Sequence, residues 1–379
     1  MPIHYLDNAA TTKPCDDAVN AMMRCFSDHY GNPSSLHKAG LLAQQEADHA
    51  RAVIASALGC DTRELIFTSC ATESTNMALR STAAAYGRRR KKIVTSAVEH
   101  ASVKKTLSFL AENEGFEITE VMPDETGTYR ARDFLAACDE NTVMITMMMV
   151  NNETGHVLPV REAFSMIKRK FPHVITHCDA VQAFMKYPVK ASALSADFIS
   201  VSGHKIHAAK GIGALYVKKG TKLRPLVLGG KQENGLRAGT ESVPLIAGFG
   251  AAVEALAPSM DKRFEYVKKL NASLREKLSQ LDGIRILSPE DGSPYVLSIV
   301  VPHIRSEIML HYLEAKDIYV SSGSACSKGA GSGVPEVFGA SSKEADSILR
   351  ISFSAENTPD DIAALADGIA AGQKEIMHN

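Results

Sequence analysis

The sequence predicts an α/β protein with two domains: a large domain on a mainly parallel seven-stranded sheet, and a smaller α+β domain at the C-terminal end. Short apolar runs alternate with helical patterns over the first two thirds of the chain, which is typical of a parallel sheet covered by helices on both faces. The pattern then changes to a long helical region followed by further strands. The length of 379 residues, with 45% hydrophobic and 22% charged residues, fits two ordinary domains. We expect an arm at 1–15 that joins the small domain, a large domain at 16–257 and the small domain at 258–379.

The elements of the large domain follow in order along the chain. Pro14 opens an amphipathic helix in which Ala18, Met22 and Phe26 lie one turn apart. A second helix ends at Gly59. Seven apolar runs then predict the strands, at residues 64–68, 92–95, 117–121, 142–150, 174–178, 198–201 and 214–217. The run at 143–150 is apolar without alternation, as a central strand requires.

The small domain begins with a helical region that extends to Leu281 and is broken near Pro258. Its strands are predicted at 284–287, 295–301, 318–320 and 349–354, with helices between them.

Composition excludes several classes of protein. A net charge of −1 argues against general nucleic-acid binding, and the basic run at 88–92 is either a solvated turn or a docking patch. The N-terminus does not resemble a signal peptide, and no run approaches the ~20 apolar residues of a membrane span. Seven cysteines without a Cys-x-x-Cys pair predict neither a disulfide framework nor a metal site. We therefore expect a cytoplasmic protein.

Polar residues of varied chemistry follow five of the predicted strands. They lie at 69–73, 96–100, 151–153, 179–182 and 202–205. Ligands of open α/β sheets bind beyond the carboxyl ends of the strands, so these segments predict one site.

Lys205 is the central candidate, because it comes directly after a strand and the triplet Ser202-Gly203-His204. Desolvation lowers the pKa of a lysine and makes it nucleophilic toward a carbonyl carbon. The alternative is an ordinary solvated lysine at a strand end. Lys210, before Gly211, lacks such neighbours and is interpreted as structural.

Asp179 ends a strand, where its carboxylate can pair with the protonated nitrogen of a pyridine cofactor and keep the ring an electron sink. Its alternative role is a helix N-cap. His177 is expected to pack within the strand. The amides of Gln182 and Asn152 can bond a phenolic oxygen of such a ring, or can cap loops.

Ala71 and Thr72 open a helix whose first backbone amides are available to a phosphate, and Ser202 and His204 can add donors. Thr72 as a simple N-cap is the alternative. His100 can stack on a cofactor ring and move protons, or can be a hydrogen-bonded loop histidine.

Cys326 differs from the other cysteines because it lies in a loop rich in glycine and serine at 321–333, which predicts mobility and exposure. Lys328 nearby favours its thiolate. Cys70, beside the predicted phosphate loop, is the weaker alternative. The other five cysteines lie in or beside helices and strands and are interpreted as small hydrophobic residues.

Taken together, these motifs resemble the cysteine desulfurases, which are fold-type-I pyridoxal phosphate (PLP) enzymes of the class V aminotransferase superfamily. The resemblance spans nearly the whole chain, and SSGSAC at 321–326 resembles the group with a long cysteine loop. The other matching motifs are YLDNAATT at 5–12, GNPSS at 31–35, ATES at 71–74, NNE at 151–153, DAVQ at 179–182, SGHK at 202–205 and RAGTE at 237–241.

The resemblance implies that Lys205 carries PLP, that Asp179 meets the ring nitrogen and that His100 stacks on the ring. Asn152 and Gln182 would flank the phenolic oxygen. Ala71, Thr72, Ser202 and His204 would hold the phosphate. Thr240 from the second subunit of a homodimer would join them, and Arg350 with help from Asn32 would bind the substrate carboxylate.

The implied reaction converts L-cysteine to L-alanine and leaves the sulfur on Cys326 as a persulfide, for an acceptor protein of iron–sulfur assembly or tRNA thiolation. A selenocysteine lyase, a small aminotransferase or a scaffold derived from a desulfurase are the rival interpretations. No Gly-x-Gly-x-x-Gly follows an early strand, so a nicotinamide enzyme is disfavoured. The chain departs from the family pattern at Cys70, at Ala208-Ala209 and in the glycines beyond Cys326.

Overall fold

The computed structural model describes residues 2–322 and 332–376. Cys326 and most of the predicted loop at 321–333 therefore lie outside the described residues. In chain order the strands β1 to β13 of the described part are His4–Tyr5, Leu65–Thr68, Lys92–Ser96, Glu117–Val121, Thr142–Met148, Ile175–Asp179, Phe198–Ser202, Gly213–Val217, Arg285–Ile286, Val296–Val300, Ile318–Tyr319, Ser321–Ser322 and Ile348–Ser352.

The helices alternate with the strands of the large sheet and then surround the smaller one. In the same described part, α1 to α13 are Asp16–Ser27, Lys38–Leu58, Ala71–Tyr86, Ala101–Glu114, Ala131–Ala137, Val160–Lys170, Ala191–Leu194, Val243–Leu256, Met260–Leu278, Ser306–Glu314, Val334–Val337, Ser342–Ala345 and Pro359–Glu375. Short 3₁₀ turns lie at Thr62–Glu64, Gly203–Lys205, Gln232–Gly235 and Ala257–Ser259.

The large sheet has seven strands in the order β2-β8-β7-β6-β5-β3-β4, which confirms the predicted fold class. All neighbouring pairs are parallel except those of β8, which runs antiparallel to both β2 and β7. A parallel pair needs a crossover of a dozen or more residues. The connection from Ser202 to Gly213 is shorter and forms a turn, so β8 reverses direction.

The second sheet is antiparallel, in the order β12-β13-β10-β9, and beside it β1 of the N-terminal arm pairs with β11. Leu6 of the arm is fully buried in the same core as Leu297, Ile351 and Leu365. The sequence did not predict β1 or β12, because neither two-residue strand lies in an apolar run such as those around β9 and β11. The domain boundaries themselves stay predictions.

The strand ends differ from the prediction where it matters for the site. β5 ends at Met148 rather than at residue 150, so Asn151 and Asn152 belong to a loop. Asp179 and Ser202, which were expected to follow their strands, are the last residues of β6 and β7. Their side chains are therefore fixed by the sheet.

In the part of the chain that the structure describes, the helical stretch Val243–Leu278 has the length and apolar composition of a membrane-crossing helix. The 3₁₀ turn Ala257–Ser259 interrupts it, and 44% of its most apolar window is buried inside the protein. A core helix passes the same test, and α8 packs on α1 and α2.

Candidate active site

Lys205 ends the 3₁₀ turn after β7 and points at the N-terminal arm. Its Nζ atom lies 2.5 Å from the carbonyl oxygen of Ala9 and 2.7 Å from that of Ala10. The arm is held against β13, where the Ala9 amide donates to Ser352 Oγ at 2.8 Å. The lysine predicted to be catalytic is thus enclosed by residues almost 200 positions away.

Asp179 is buried at the end of β6, next to β7, whose C-terminal turn carries Lys205. Its Oδ1 accepts from the Val181 amide at 3.0 Å, so part of the predicted capping role is real. Burial raises the pKa of the Asp179 carboxyl, while the charges of His100 and Lys205 oppose that rise. These three side chains therefore share one electrostatic environment, as the sequence predicted.

Three groups fit a bound phosphate at the start of α3. The helix begins at Ala71 after the extended residue Cys70, and no side chain of the described residues caps it. The Ser202 hydroxyl is buried and finds no hydrogen-bond partner within residues 2–322 and 332–376. Burial and nearby lysines lower the pKa of His204 to about 4, so this ring is neutral and can donate one N–H. An unpaired buried hydroxyl beside uncapped amides is what an anion site requires.

The capping alternative for Thr72 is wrong, because the N-cap residue is Cys70 and Thr72 lies inside the helix. Cys70 has φ −174°, an extended conformation that any residue adopts, so glycine is not needed there. The other departure is accommodated as well: Ala208 is buried, and its amide donates to the Gly203 carbonyl at 3.1 Å.

His100 precedes α4 and caps it. Its Nδ1 atom accepts from the Ser102 amide at 3.1 Å, as a loop histidine would. The residue is nevertheless exposed, and its charge acts on Asp179. Capping and stacking on a cofactor are compatible roles for this ring.

Gln182 is buried between the arm and a second lysine. Its Nε2 donates to the Ala9 carbonyl at 3.0 Å, and its Oε1 accepts from Lys186 Nζ at 3.2 Å. Ala9 therefore receives hydrogen bonds from both Gln182 and Lys205. The side chain predicted to flank a cofactor ring does lie beside the lysine predicted to carry it.

Arg350, in the middle of β13 of the second sheet, is buried and contacts the N-terminal arm. Its Nη2 lies 3.0 Å from Asp7 Oδ1, and its Nη1 donates to the Asn152 carbonyl at 3.3 Å. Its Nε is buried and has no partner among the described residues. The Nε–H on one edge of the guanidinium therefore lacks an acceptor among the described residues.

Asn32 and Thr240 lie elsewhere on the chain. Both are exposed, and both line a groove of about 240 Å³ together with Phe26 and Tyr30. The contacts of Arg350 are with Asp7 and Asn152 instead. Within one chain, the structure thus groups Asn32 with Thr240 and not with Lys205 or Arg350.

Five of the six described cysteines are poor nucleophiles, because burial raises the pKa of each thiol. They are Cys15, Cys25, Cys60, Cys138 and Cys178. Cys70 is partly exposed at the start of α3. The predicted sulfur acceptor, Cys326, is outside the described residues.

Sequence reasoning missed three residues at this site. Glu99 is buried behind His100, where its Oε1 accepts from Ser96 Oγ at 2.5 Å and from the Met148 amide at 2.9 Å. Lys186 and Asp7 contact Gln182 and Arg350, as described above. A charged residue next to a candidate histidine was an available signal for Glu99. The sequence carries no signal for the contact of Asp7 with Arg350, because the two residues are 343 positions apart.

The chain is similar to known proteins over nearly its whole length. The family model for class-V aminotransferases matches residues 4–365. A NifS/IcsS protein homolog of Lactobacillus delbrueckii subsp. bulgaricus is 37% identical, over 99% of each chain. A cysteine desulfurase of Nostoc sp. is 39% identical, over 87% of this chain and 82% of that one. A solved NifS-like protein is 33% identical with a TM-score of 0.93, covering 99% of this chain and all of the other.

Proposed function

The chain belongs to the class-V aminotransferase family and, within it, to the cysteine desulfurases. We propose that the residues around Lys205 and Arg350 carry out the conversion of L-cysteine to L-alanine. The observation that carries the assignment is the convergence of Lys205, the buried Asp179 and the unpaired Ser202 hydroxyl at the ends of β6 and β7. A lysine, a buried acid and an anion cradle are the groups that a pyridine cofactor with a phosphate tail requires.

Enzymes of this family use PLP, and the groups present here fit it. Bound PLP supplies an aldehyde that condenses with amines and a ring that stabilises negative charge on the substrate α-carbon. Lys205 would hold it, Asp179 would keep its ring nitrogen protonated, and Asn152 and Gln182 would flank its phenolic oxygen. The phosphate would lie on the amides of Ala71 and Thr72, near Ser202 and His204.

Arg350 would bind the carboxylate of L-cysteine through the guanidinium edge that carries its unpaired Nε. A planar guanidinium suits a carboxylate because it can donate two parallel hydrogen bonds. Lys205 and His100, which flank Asp179, would carry the proton that leaves and later returns to the substrate. Burial around Asp179 keeps bulk water from this step.

Cys326 would receive the sulfur. Its thiolate forms an S–S bond with the cysteine sulfur, the substrate C–S bond breaks, and the electron pair of that bond stays on carbon, which is then protonated. The products are alanine and a persulfide, and no external oxidant or reductant is needed. The raised pKa of five of the six described thiols supports the choice of a cysteine outside the described part of the chain.

A homodimer would complete the site. Asn32 and Thr240 line a groove that lacks Lys205, and the neighbouring side chains of Phe26, Tyr30 and Leu36 are exposed. Clustered exposed apolar residues mark interaction surfaces. We propose that this surface meets a second copy of the chain, so that Thr240 would contact the phosphate of PLP bound in the partner subunit.

The persulfide would pass to an iron–sulfur scaffold protein or to an enzyme of tRNA thiolation. The function is tested by incubating the purified protein with L-cysteine that carries labelled sulfur. We expect alanine to form, with label bound to the protein in equal amount. Alanine without protein-bound sulfur would contradict the persulfide step.

A further inference from the structure

Lys186 lines the same cavity as Lys205 and donates a hydrogen bond to Gln182. We propose that Lys186 is a positioning residue that fixes the side-chain amide of Gln182 with its NH₂ group turned toward the cofactor. The proposal rests on the proposed function, because it concerns how the same pocket treats the phenolic oxygen of PLP.

The hydrogen bonds around Gln182 select one of the two amide orientations. Oε1 accepts from Lys186 Nζ at 3.2 Å, and Nε2 donates to the Ala9 carbonyl at 3.0 Å. In the flipped orientation, the NH₂ group would face an amine that donates and the oxygen would face a carbonyl that accepts. With Lys186 as an ammonium, both contacts would then be lost.

The selected orientation leaves one donor available on the side of Lys205. An amide nitrogen carries two hydrogens, and Ala9 accepts only one of those of Gln182. Lys205 Nζ contacts the same Ala9 carbonyl oxygen at 2.5 Å. The second N–H of Gln182 would therefore donate to the phenolic oxygen of PLP held by Lys205.

The surroundings of Lys186 keep it a donor in either charge state. Burial and the charges of Lys205 and Arg263 lower the pKa of Lys186 to about 7. The ammonium and the neutral amine both carry N–H groups, so donation to Gln182 Oε1 continues through this titration. The neutral amine can also accept, so above this pH the Ala9 carbonyl alone excludes the flipped amide. The Tyr295 ring, 5.2 Å from Nζ, covers the other side of the lysine.

A donor on the phenolic oxygen weakens its attraction for the proton on the neighbouring lysine nitrogen. Loss of that donor should therefore raise the pH at which the visible absorption band of the PLP-loaded protein titrates. Loss of the Lys186 charge alone would raise it too, since one positive charge near Lys205 disappears. The two effects have to be separated by a double-mutant cycle.

The experiment measures this midpoint in the wild type, Lys186→Met, Gln182→Met and the double variant. We expect Lys186→Met to raise the midpoint by at least about half a pH unit more in the wild-type background than in the Gln182→Met background, a threefold difference in proton affinity. Equal shifts in both backgrounds would overturn the proposal and leave Lys186 acting by its charge. If Lys186→Met does not fold, Lys186→Leu replaces it in the same cycle.

Lys210→Met is the matched control, because it removes an exposed charge near His204 without touching Gln182. It should show no coupling to Gln182→Met. A wild-type protein that binds no PLP would contradict the proposed function itself. A protein that binds PLP but shows no coupling contradicts only the role of Lys186.

Discussion

Arg350 Nη2 and Asp7 Oδ1 lie 3.0 Å apart and join the middle of β13 to the N-terminal arm. The arginine side chain is 8% exposed and that of the aspartate 19%. Asp7 holds the Arg350 side chain in one orientation and balances its charge. A substrate carboxylate would bind beside this pair. The pair thus links substrate recognition to the first residues of the chain.

We predict that Arg350→Gln raises the cysteine concentration needed for half-maximal rate by at least about 30-fold, because removing the charged partner of a buried carboxylate costs ~2–5 kcal/mol. Steady-state kinetics measure it. Arg285→Gln, which breaks an exposed pair with Glu344, is the control and should leave the kinetics unchanged. An unchanged cysteine requirement for Arg350→Gln would remove this arginine from the site.

Lys205→Ala should bind PLP without covalent attachment and lose turnover, because Lys186, the other lysine of this pocket, is held by Gln182 instead. Borohydride reduction followed by peptide mass spectrometry locates the attachment. Lys210→Ala is the control and should retain activity. A reduced cofactor found on Lys210 in the wild type would disprove the assignment.

Mixing inactive Lys205→Ala and Thr240→Asp subunits should restore activity, because a hybrid dimer contains one site with both native residues. With free exchange, recovery approaches about a quarter of the wild-type activity. The aspartate is chosen because its charge repels a phosphate. Two Lys205→Ala preparations mixed together are the control. If the hybrids stay inactive although exchange is detected, Thr240 does not act across an interface.

Cys326→Ser should bind PLP and L-cysteine but transfer almost no sulfur, since a hydroxyl cannot form the persulfide. Mass spectrometry after incubation with cysteine should find one added sulfur on Cys326 of the wild type. Cys70→Ser, at the partly exposed thiol near the phosphate cradle, is the control and should retain transfer. A persulfide on Cys70 with Cys326 unmodified would reverse the assignment.

Glu99 predicts a pH dependence of stability. Burial raises the pKa of its carboxyl to about 8, against a usual value of 4.5. Between these values the folded protein retains a proton that the unfolded chain has lost, so stability falls as pH rises through this window. Glu99→Gln keeps the acceptor for the Met148 amide and cannot ionise. Relative to the wild type, it should be stabilised by a few kcal/mol near pH 8 and by little near pH 5.

The melting temperature of the apoprotein, taken across this pH range, measures the Glu99 effect. Glu254→Gln is the control, because its side chain is 61% exposed and its only described partner is an exposed histidine. If Glu99→Gln and the wild type lose stability in parallel as pH rises, Glu99 is ionised in the folded protein.

Periodicity and strand-end position predicted the large sheet and most of the residues around Lys205. Both signals are local: a buried strand has an apolar run, and the polar residues after it lie at the same edge as those of its parallel neighbours. The contacts that complete the site are not local. Asp7 meets Arg350 across 343 positions, and no spacing in the sequence encodes such a pair.

The amphipathic pattern of α1 shows the same limit. Ala18 is buried as predicted, but Phe26 on the same stripe is 60% exposed. The described residues of one chain do not cover the end of that stripe, which is the surface proposed above to meet a second copy. The pattern predicts an apolar stripe but not which part of it the chain itself buries.

The pairing of β1 with β11, and the burial of Leu6 among C-terminal strands, set the order in which the protein is completed during synthesis. Residues 4–6 are translated long before their partners at residues 318–352, so this segment cannot pack until those residues have emerged. The carbonyls of Ala9 and Ala10 therefore reach Lys205 only after that point. A nascent chain that stops before residue 318 lacks the strand that holds this segment beside the lysine.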